Sequence, residues 1–261
     1  MNILDKIATQ TQKRVAASKK ILPLAELKKQ ANAITVEGYP FEAALRKSDD
    51  IAFICEVKKA SPSKGVIAEH FPHIEIARDY ETAGAAAISV LTEPDYFLGS
   101  DNYLREIANS VKIPLLRKDF TVDDYMIYEA KVLGASAVLL ICSILDMKML
   151  VEYIDLAHSL GLSALVEAHD DFEVETALKA GARIIGVNNR NLRTFEVDIT
   201  LSEQLRKLVP SDKLFVAESG IRTAEDVASL REFGANAVLI GETIMRSTDK
   251  RAEIEKLRGG K

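Results

Sequence analysis

Residues 134–141, GASAVLLI, decide the fold, because a Gly-Ala pair is followed at once by an unbroken apolar run. Gly-Ala pairs recur before other apolar runs at 84–85, 181–182 and 234–235, so that successive glycines lie 50, 47 and 53 residues apart. A glycine in this position suits the left-handed residue that ends many helices, and such runs are typical of parallel strands buried on both faces. The repeat therefore predicts alternating helices and strands in a parallel sheet.

Four more strand-like runs complete a set of eight, and amphipathic segments such as 123–133 and 170–180 separate them. Eight such units favour an α/β fold of the (β/α)8 TIM barrel type over an open doubly wound sheet. No Gly-rich dinucleotide-binding motif follows the first strand. We expect one barrel domain over 1–261, in which residues 1–50 form a helical extension that caps the barrel. The additional runs are IAFICEVK (51–58), IPLLRKD (113–119), SALVEA (163–168) and KLFVAES (213–219).

The composition excludes several classes of protein. A net charge of −5 argues against a nucleic-acid partner, and no apolar run approaches the ~18 residues of a membrane span. The first residues lack the apolar core of a secretion signal, so we expect a cytoplasmic protein without a membrane partner.

The two cysteines and four histidines lack the spacing of a metal site. We therefore expect buried cysteines, histidines at surface or capping positions, and neither a metal nor a cofactor. Asp123 and Asp170 are predicted to cap the amino ends of the helices that follow them. One basic cluster is interpreted as a solvated helix face, namely Lys13, Arg14, Lys19 and Lys20.

Polar side chains end most of the predicted strands, and in this fold the chemistry lies at the carboxyl ends of the strands. Glu56 and Lys58 end the first strand on one face, because side chains alternate along a strand. Each such residue alone could serve as a structural ion pair or a helix cap. Together they predict a polar mouth with a catalytic or binding role, formed by Glu56, Lys58, Lys118, Glu167, Asn188, Arg190 and Glu218.

The loops after strands seven and eight predict a phosphate site. Ser219 and Gly220 precede a helix start, and Gly241 and Glu242 follow the last strand directly. Glycine lets the backbone approach a ligand, and N–H groups at a helix start attract an anion. These two loops often bind phosphate in this fold, although two ordinary turns are the alternative. The Glu242 carboxylate would then have to point away from the phosphate.

Five motifs resemble those of the indole-3-glycerol phosphate synthases: EVKKASPS (56–63), LRKDF (116–120), LVE (165–167), GVNNRNL (186–192) and ESGI (218–221). The resemblance covers nearly the whole chain and includes the helical extension. It implies that 1-(2-carboxyphenylamino)-1-deoxyribulose 5-phosphate closes its ring, loses carbon dioxide and loses water. The product would be indole-3-glycerol phosphate, an intermediate of tryptophan biosynthesis, formed without a cofactor.

The resemblance also implies roles for single residues. Lys118 would act as the acid in ring closure, and Glu167, with a pKa that burial raises, would move protons in dehydration. Which lysine or carboxylate serves which step is left open. The implied catalytic residues are Lys118, Glu167, Lys58, Glu56 and Asn188. The implied substrate-binding residues are Ser61, Arg190, Phe120, Leu192, Phe97, Pro62 and Glu218, beside the phosphate-binding residues Ser219, Gly220, Gly241 and Glu242.

Two other interpretations stay open. A phosphate-binding isomerase of the same fold, such as phosphoribosylanthranilate isomerase, would share loops seven and eight but would not need Lys58, Lys118 and Glu167 together. The chain could instead be a noncatalytic subunit that binds a phosphorylated ligand. In each case the expected partner is a phosphorylated small molecule, and we expect a monomer.

Overall fold

A computed structural model describes residues 3–48, 50–191 and 194–259. Eight parallel strands, β1 to β8, form a closed barrel in which each strand pairs with the next along the chain and β8 pairs with β1. The prediction of a (β/α)8 barrel is confirmed. The strands are β1 (Ala52–Val57), β2 (Ala87–Leu91), β3 (Leu115–Lys118), β4 (Ala137–Ile141), β5 (Ser163–Ala168), β6 (Ile184–Asn188), β7 (Leu214–Glu218) and β8 (Ala237–Ile240).

Helices surround the barrel, and several of them begin at a polar N-cap residue. The side chains of Asp123 and Asp170 accept hydrogen bonds from the backbone N–H groups of Tyr125 and Glu173, which confirms both as N-caps. Three helices precede the barrel: α1 (Ile3–Ile21), α2 (Leu24–Ala33) and α3 (Pro40–Lys47). The others are α4 (His73–Thr82), α5 (Asp101–Ala108), α6 (Asp124–Leu133), α7 (Met147–Ser159), α8 (Asp171–Lys179), α9 (Thr200–Arg206), α10 (Ala224–Glu232), α11 (Glu242–Arg246) and α12 (Lys250–Leu257).

The three leading helices pack against the two ends of the barrel and against its outer layer of helices. Leu4 and Ile7 of α1 line the cavity at the carboxyl ends of the strands, and Leu27 of α2 packs with Tyr125 of α6. Phe41 of α3 belongs to the buried cluster formed by the first residues of several strands, which places α3 at the amino end. The extension therefore contributes a wall to the mouth and closes the opposite end.

The interior of the barrel is apolar toward the amino ends of the strands and charged toward their carboxyl ends. Because side chains alternate along a strand, residues two positions apart point the same way. On four strands a buried apolar residue points into the barrel, and the next residue that points inward, two positions closer to the carboxyl end, is charged. The apolar residues are Ile54, Leu116, Leu165 and Val216, and the charged ones are Glu56, Lys118, Glu167 and Glu218.

Outward-facing strand residues pack against the surrounding helices in a separate core. Cys55 and Cys142 belong to it, and both are free and buried, as predicted. Within the described ranges, no helix is both long and apolar enough to cross a lipid bilayer.

Candidate active site

A cavity of about 440 Å³ opens at the carboxyl ends of the strands. It is lined by every site residue that the sequence predicted except Leu192, which lies outside the described residues. Apolar walls come from Phe97 and Phe120, whose ring centroids are 6.2 Å apart, and from Pro62. The cavity thus combines an apolar slot with ionised groups, as is typical of small-molecule sites.

Glu56 and Lys58 form a buried ion pair on one side of this cavity, with direct contact between the ammonium and Oε2. Burial would raise the pKa of Glu56, but the positive charges of Lys58 and Lys118 outweigh it and lower the pKa. Gly241 borders the pair: a Cβ there would lie 2.5 Å from Glu56 Oε2 and 3.0 Å from Lys58 Nζ. Glycine at this position therefore leaves room for the ion pair where it is observed, whatever else its backbone binds.

Lys118 lies between two carboxylates across the cavity. Its Nζ is 3.5 Å from Glu167 Oε2 and 3.4 Å from Glu218 Oε2. Burial would lower the pKa of Lys118, but the negative charges of Glu218, Glu167 and Glu56 outweigh it and raise the pKa. Lys118 is therefore an ammonium at neutral pH.

The two carboxylates that share Lys118 differ in acidity. Burial would raise the pKa of Glu167, but Lys118, His169 and a hydrogen bond to Asn188 together lower it. Burial raises the pKa of Glu218 to about 7, with Lys118 opposing the rise and Glu167 adding to it. The expectation of a raised pKa at Glu167 is therefore wrong. The carboxyl that titrates near neutrality is Glu218, which the sequence assigned to substrate binding.

Gly186 makes room for the Glu218 carboxylate. A Cβ on Gly186 would overlap Glu218 Oε1 and approach Leu165 Cδ1 to 3.1 Å. We expect Gly186→Ala to displace Glu218 from Lys118 and to lower kcat by about 10²-fold, the scale of a 1 Å misplacement in an active site. Steady-state kinetics would measure the loss.

Gly181→Ala is the matched control for this substitution. Gly181 has a φ of +87° and no atom within 4 Å of an added Cβ. It should cost the stability of a strained left-handed residue while leaving kcat unchanged. Equal kcat values in the two variants would show that Gly186 has no part in placing Glu218.

The loop after β7 has an unusual backbone. Ser219 and Gly220 have φ values of 67° and 83°, and a positive φ is uncommon for a residue other than glycine. The Asn189 side chain supports this turn by donating to the Ser219 carbonyl oxygen at 3.1 Å. Backbone strain of this kind concentrates at functional sites.

Arg190 and Glu242 complete the rim of the mouth. The Arg190 backbone N–H donates to Asn188 Oδ1 at 3.0 Å, and burial lowers the pKa of Arg190. The Glu242 carboxylate lies 3.1 Å from Arg246 Nε and 3.8 Å from Lys64 Nζ. Two cations thus offset its negative charge.

The structure adds residues that sequence reasoning missed. Arg14 Nη2 donates to both carboxylate oxygens of Asp119, at 2.7 and 2.9 Å, and Lys19 Nζ is 2.7 Å from Asp123 Oδ2. The interpretation of this cluster as a solvated helix face is wrong for these two residues, which tie α1 to the segment that follows Lys118.

His169 is the third correction, because its place is neither at the surface nor only in a helix cap. The side chain is 17% exposed, and Nε2 lies 3.4 Å from Glu167 Oε1. Burial would lower the pKa of His169, but a hydrogen bond to Glu173 and the charge of Glu167 raise it. Glu167, a candidate catalytic carboxylate of the cavity lining, therefore has a histidine on its Oε1 side.

Comparisons with known proteins place this geometry in a family. The sequence model of the family described as indole-3-glycerol phosphate synthase matches residues 4–257. An indole-3-glycerol phosphate synthase of Ruminiclostridium cellulolyticum is 60% identical over 258 residues, which cover 98% of this chain and 99% of that protein. One of Endomicrobium trichonymphae is 54% identical over 257 residues, with 98% and 99% covered.

Solved structures with low sequence identity show the fold alone. The 3-hexulose-6-phosphate synthase of Salmonella typhimurium has a TM-score of 0.66 at 16% identity, covering 80% of this chain and 97% of that one. The Pyrococcus furiosus tryptophan synthase complex contains a chain with a TM-score of 0.61 at 16% identity, covering 80% and 98%. Since the family match spans almost the whole sequence, this chain belongs to the indole-3-glycerol phosphate synthase family.

Proposed function

We propose that this mouth converts 1-(2-carboxyphenylamino)-1-deoxyribulose 5-phosphate to indole-3-glycerol phosphate, the reaction for which the family is named. The observation that carries the proposal is the Lys118 ammonium, held 3.4 to 3.5 Å from two buried carboxylates inside a partly apolar cavity. A proton donor and a proton acceptor are thus available within one site. The overall reaction, loss of carbon dioxide and of water, requires both.

Substrate binding would use the two sides of the cavity differently. The aryl ring would lie in the apolar slot of Phe97, Phe120 and Pro62. The anionic carboxylate would face Lys58, and Arg190 would donate to a substrate oxygen. The phosphate would lie against the backbone of Ser219–Gly220 and of Gly241, the place that this fold prefers for phosphate.

Ring closure is the first step of the proposed mechanism. The aromatic carbon that bears the carboxylate attacks the ketone carbon, and Lys118 donates a proton to the ketone oxygen as it becomes a hydroxyl. Loss of carbon dioxide from the same aromatic carbon restores aromaticity. The raised pKa of Lys118 keeps the ammonium protonated until the oxygen becomes more basic in the transition state.

Dehydration is the second step. Glu167, ionised because its pKa is lowered, removes a proton from the ring CH2 carbon next to the nitrogen. The hydroxyl on the neighbouring carbon takes a proton from a lysine and leaves as water, so that the carbon–carbon double bond of the indole forms. Glu218, with a pKa of about 7, can hold a proton beside Lys118 and return it between the two steps. Lys58 and Glu56 would hold the departing oxygen and orient the lysines.

Turnover measured without any added cofactor tests the proposal. Purified protein mixed with the carboxyphenylamino substrate should develop the absorbance and fluorescence of an indole. Turnover of phosphoribosylanthranilate alone would favour the isomerase interpretation. Binding of the carboxyphenylamino substrate by calorimetry, without turnover on the same sample, would favour the noncatalytic subunit.

Gly220→Val tests the phosphate assignment. The φ of 83° penalises any side chain, and a Cβ would overlap Val197 Cγ1, so the loop should move away from the phosphate. Because a hydrogen bond to a charged group contributes about 1.5 to 3 kcal/mol, KM should rise about tenfold or more while kcat changes little. Inorganic phosphate should compete with substrate in the wild type and compete less in the variant.

Gly38→Val supplies the matched control, because Gly38 has a φ of 64° but no atom within 4 Å of an added Cβ. It should reproduce the backbone strain and leave KM unchanged. A phosphate analogue bound elsewhere in a crystal, for instance at Lys13 and Lys20, would contradict the assignment.

A further inference from the structure

His169 connects a helix cap to the centre of the active site. It follows β5 directly, two residues after Glu167, and Glu173 lies in the first turn of α8. His169 Nδ1 is 3.0 Å from Glu173 Oε2, and the His169 backbone N–H donates to the same oxygen at 2.8 Å. On the other side of the ring, Nε2 is 3.4 Å from Glu167 Oε1.

These contacts determine where the ring carries its protons. An ionised carboxylate only accepts hydrogen bonds, so Nδ1 must be protonated to face Glu173 at 3.0 Å. Nε2 is then the nitrogen that faces Glu167. Within the part of the chain that the structure describes, this buried nitrogen has no hydrogen-bond partner of good geometry, and the Glu167 carboxylate is its ion-pair partner. A protonated Nε2 therefore has a charge partner already in place.

From this arrangement we propose that His169, oriented by Glu173, is a positioning residue that keeps Glu167 ionised and turned toward the substrate. The inference rests on the proposed function, in which ionised Glu167 acts as the base. The Glu167 carboxylate is held at both oxygens, with Oε1 facing His169 and Oε2 facing Lys118. Without His169, the ion pairs of the described residues would leave Lys118 to be shared as a cation by Glu167 and Glu218.

The surroundings of His169 favour its charged form. Glu167 faces it from β5 and Glu173 from α8, and the charge of Glu218 on β7 also raises its pKa. Lys118 on β3 and Asn188 on β6 approach Glu167, not the ring. Two further titratable groups lie nearby: Asp170 caps α8, and Cys142 Sγ lies 3.6 Å from the Glu173 carbonyl oxygen.

Replacing His169 by asparagine or by glutamine tests the roles of its two ring nitrogens separately. In His169→Asn the amide nitrogen replaces Nδ1 and nothing reaches Glu167, whereas in His169→Gln the amide nitrogen replaces Nε2 without its charge. Glu173→Gln keeps the size of the side chain and removes the anion that holds the imidazolium. The pH profile of kcat should show its acidic limb moved upward by about one pH unit in His169→Asn and Glu173→Gln. It should move less in His169→Gln, and KM should change little in all three.

His158→Asn is the matched control, since His158 is a half-buried histidine near the end of α7 that packs on Tyr39 and is not among the residues that line the cavity. The acidic limb of the pH profile of kcat for His158→Asn should coincide with that of the wild type. If the limbs of His169→Asn, His169→Gln and Glu173→Gln also coincide with it, or if those variants change KM alone, the inference is overturned.

A second measurement is independent of turnover. Imidazole nitrogen NMR should show that His169 in the wild type titrates above the ordinary histidine range, and that it titrates lower in Glu173→Gln. The signal is assigned by its absence in either His169 variant. If the wild type itself does not turn over substrate, the proposed function fails, yet the NMR titration still tests the link between Glu173 and His169. An ordinary titration that Glu173→Gln leaves unchanged would overturn that link.

Discussion

Replacing Lys118 by alanine should lower kcat by about 10²-fold or more, the scale of a lost general acid. Lys118 is the ammonium that approaches both Glu167 and Glu218, and in the proposed mechanism it protonates the ketone oxygen. Alanine removes the proton donor and also leaves two buried carboxylates facing each other. Steady-state and single-turnover rates with the carboxyphenylamino substrate would measure the loss.

The same substitution should change how stability depends on pH. Without Lys118, the pKa of Glu218 should rise further above its ordinary value of 4.5, since the positive charge that opposes the rise is gone. A carboxyl with a raised pKa binds more protons in the folded than in the unfolded chain, so it stabilises the folded protein less as pH rises. Wild type and variant lose this stabilisation in parallel from pH 4.5 up to the wild-type pKa of about 7. The stability deficit of Lys118→Ala, measured by urea unfolding, should therefore grow as pH rises through and above neutrality.

Lys131→Met is the control for both measurements. Lys131 is also a buried lysine, but its ammonium donates to the Leu160 carbonyl oxygen on the outer side of the barrel. This variant should lose stability and keep kcat. A Lys118→Ala protein with kcat near that of the wild type would remove Lys118 from the mechanism.

The barrel could be predicted from sequence because its signals are local. Gly-Ala pairs mark helix ends, and unbroken apolar runs mark strands buried on both faces. The segment 123–133 is observed as α6 over Asp124–Leu133, and the segment 170–180 as α8 over Asp171–Lys179. Helix α11, with five residues, and a short hairpin that pairs Ala60–Ser61 with Gly65–Val66 were not predicted. Elements this short carry no measurable hydrophobic period.

The composition of the site was predictable for a related reason. The carboxyl ends of all strands meet at one mouth of the barrel. A polar residue at the end of an apolar run could therefore be assigned to this mouth from the fold alone, without any distance. The relative acidities of Glu167 and Glu218 were not predictable. They depend on distances to Lys118, which stands on β3 whereas the two carboxylates stand on β5 and β7.

His169 and Arg14 differ in what the sequence could indicate. His169 stands two residues after Glu167, the spacing that puts side chains on the same side of an extended chain, and this signal was available. The contact of Arg14 with Asp119 joins residues 105 positions apart, and nothing local indicated it. A basic helix face in the sequence looks the same whether water or a carboxylate covers it.

Glu167→Gln should lower kcat by about 10² to 10³-fold and leave substrate affinity nearly unchanged. Glutamine keeps the size of the side chain and can still hydrogen-bond, but it cannot take a proton. Because Lys118 and His169 lower the pKa of Glu167, the wild-type residue is a carboxylate at neutral pH, which is the form that a base needs. The loss should therefore appear in turnover, and calorimetry with the substrate in the inactive variant should show near-normal binding.

Glu129→Gln is the matched control for this substitution. Glu129 is a carboxylate whose Oε2 lies 2.7 Å from Arg117 Nη2, away from the cavity lining, so its replacement should lower stability and spare kcat. Rapid quenching of Glu167→Gln should trap a species that has closed its ring and lost carbon dioxide but still carries the hydroxyl. That species would assign Glu167 to dehydration. If affinity collapses while turnover survives, Glu167 binds the substrate and the base must be sought elsewhere, with Glu218 the first candidate because its pKa of about 7 allows it to accept a proton at neutral pH.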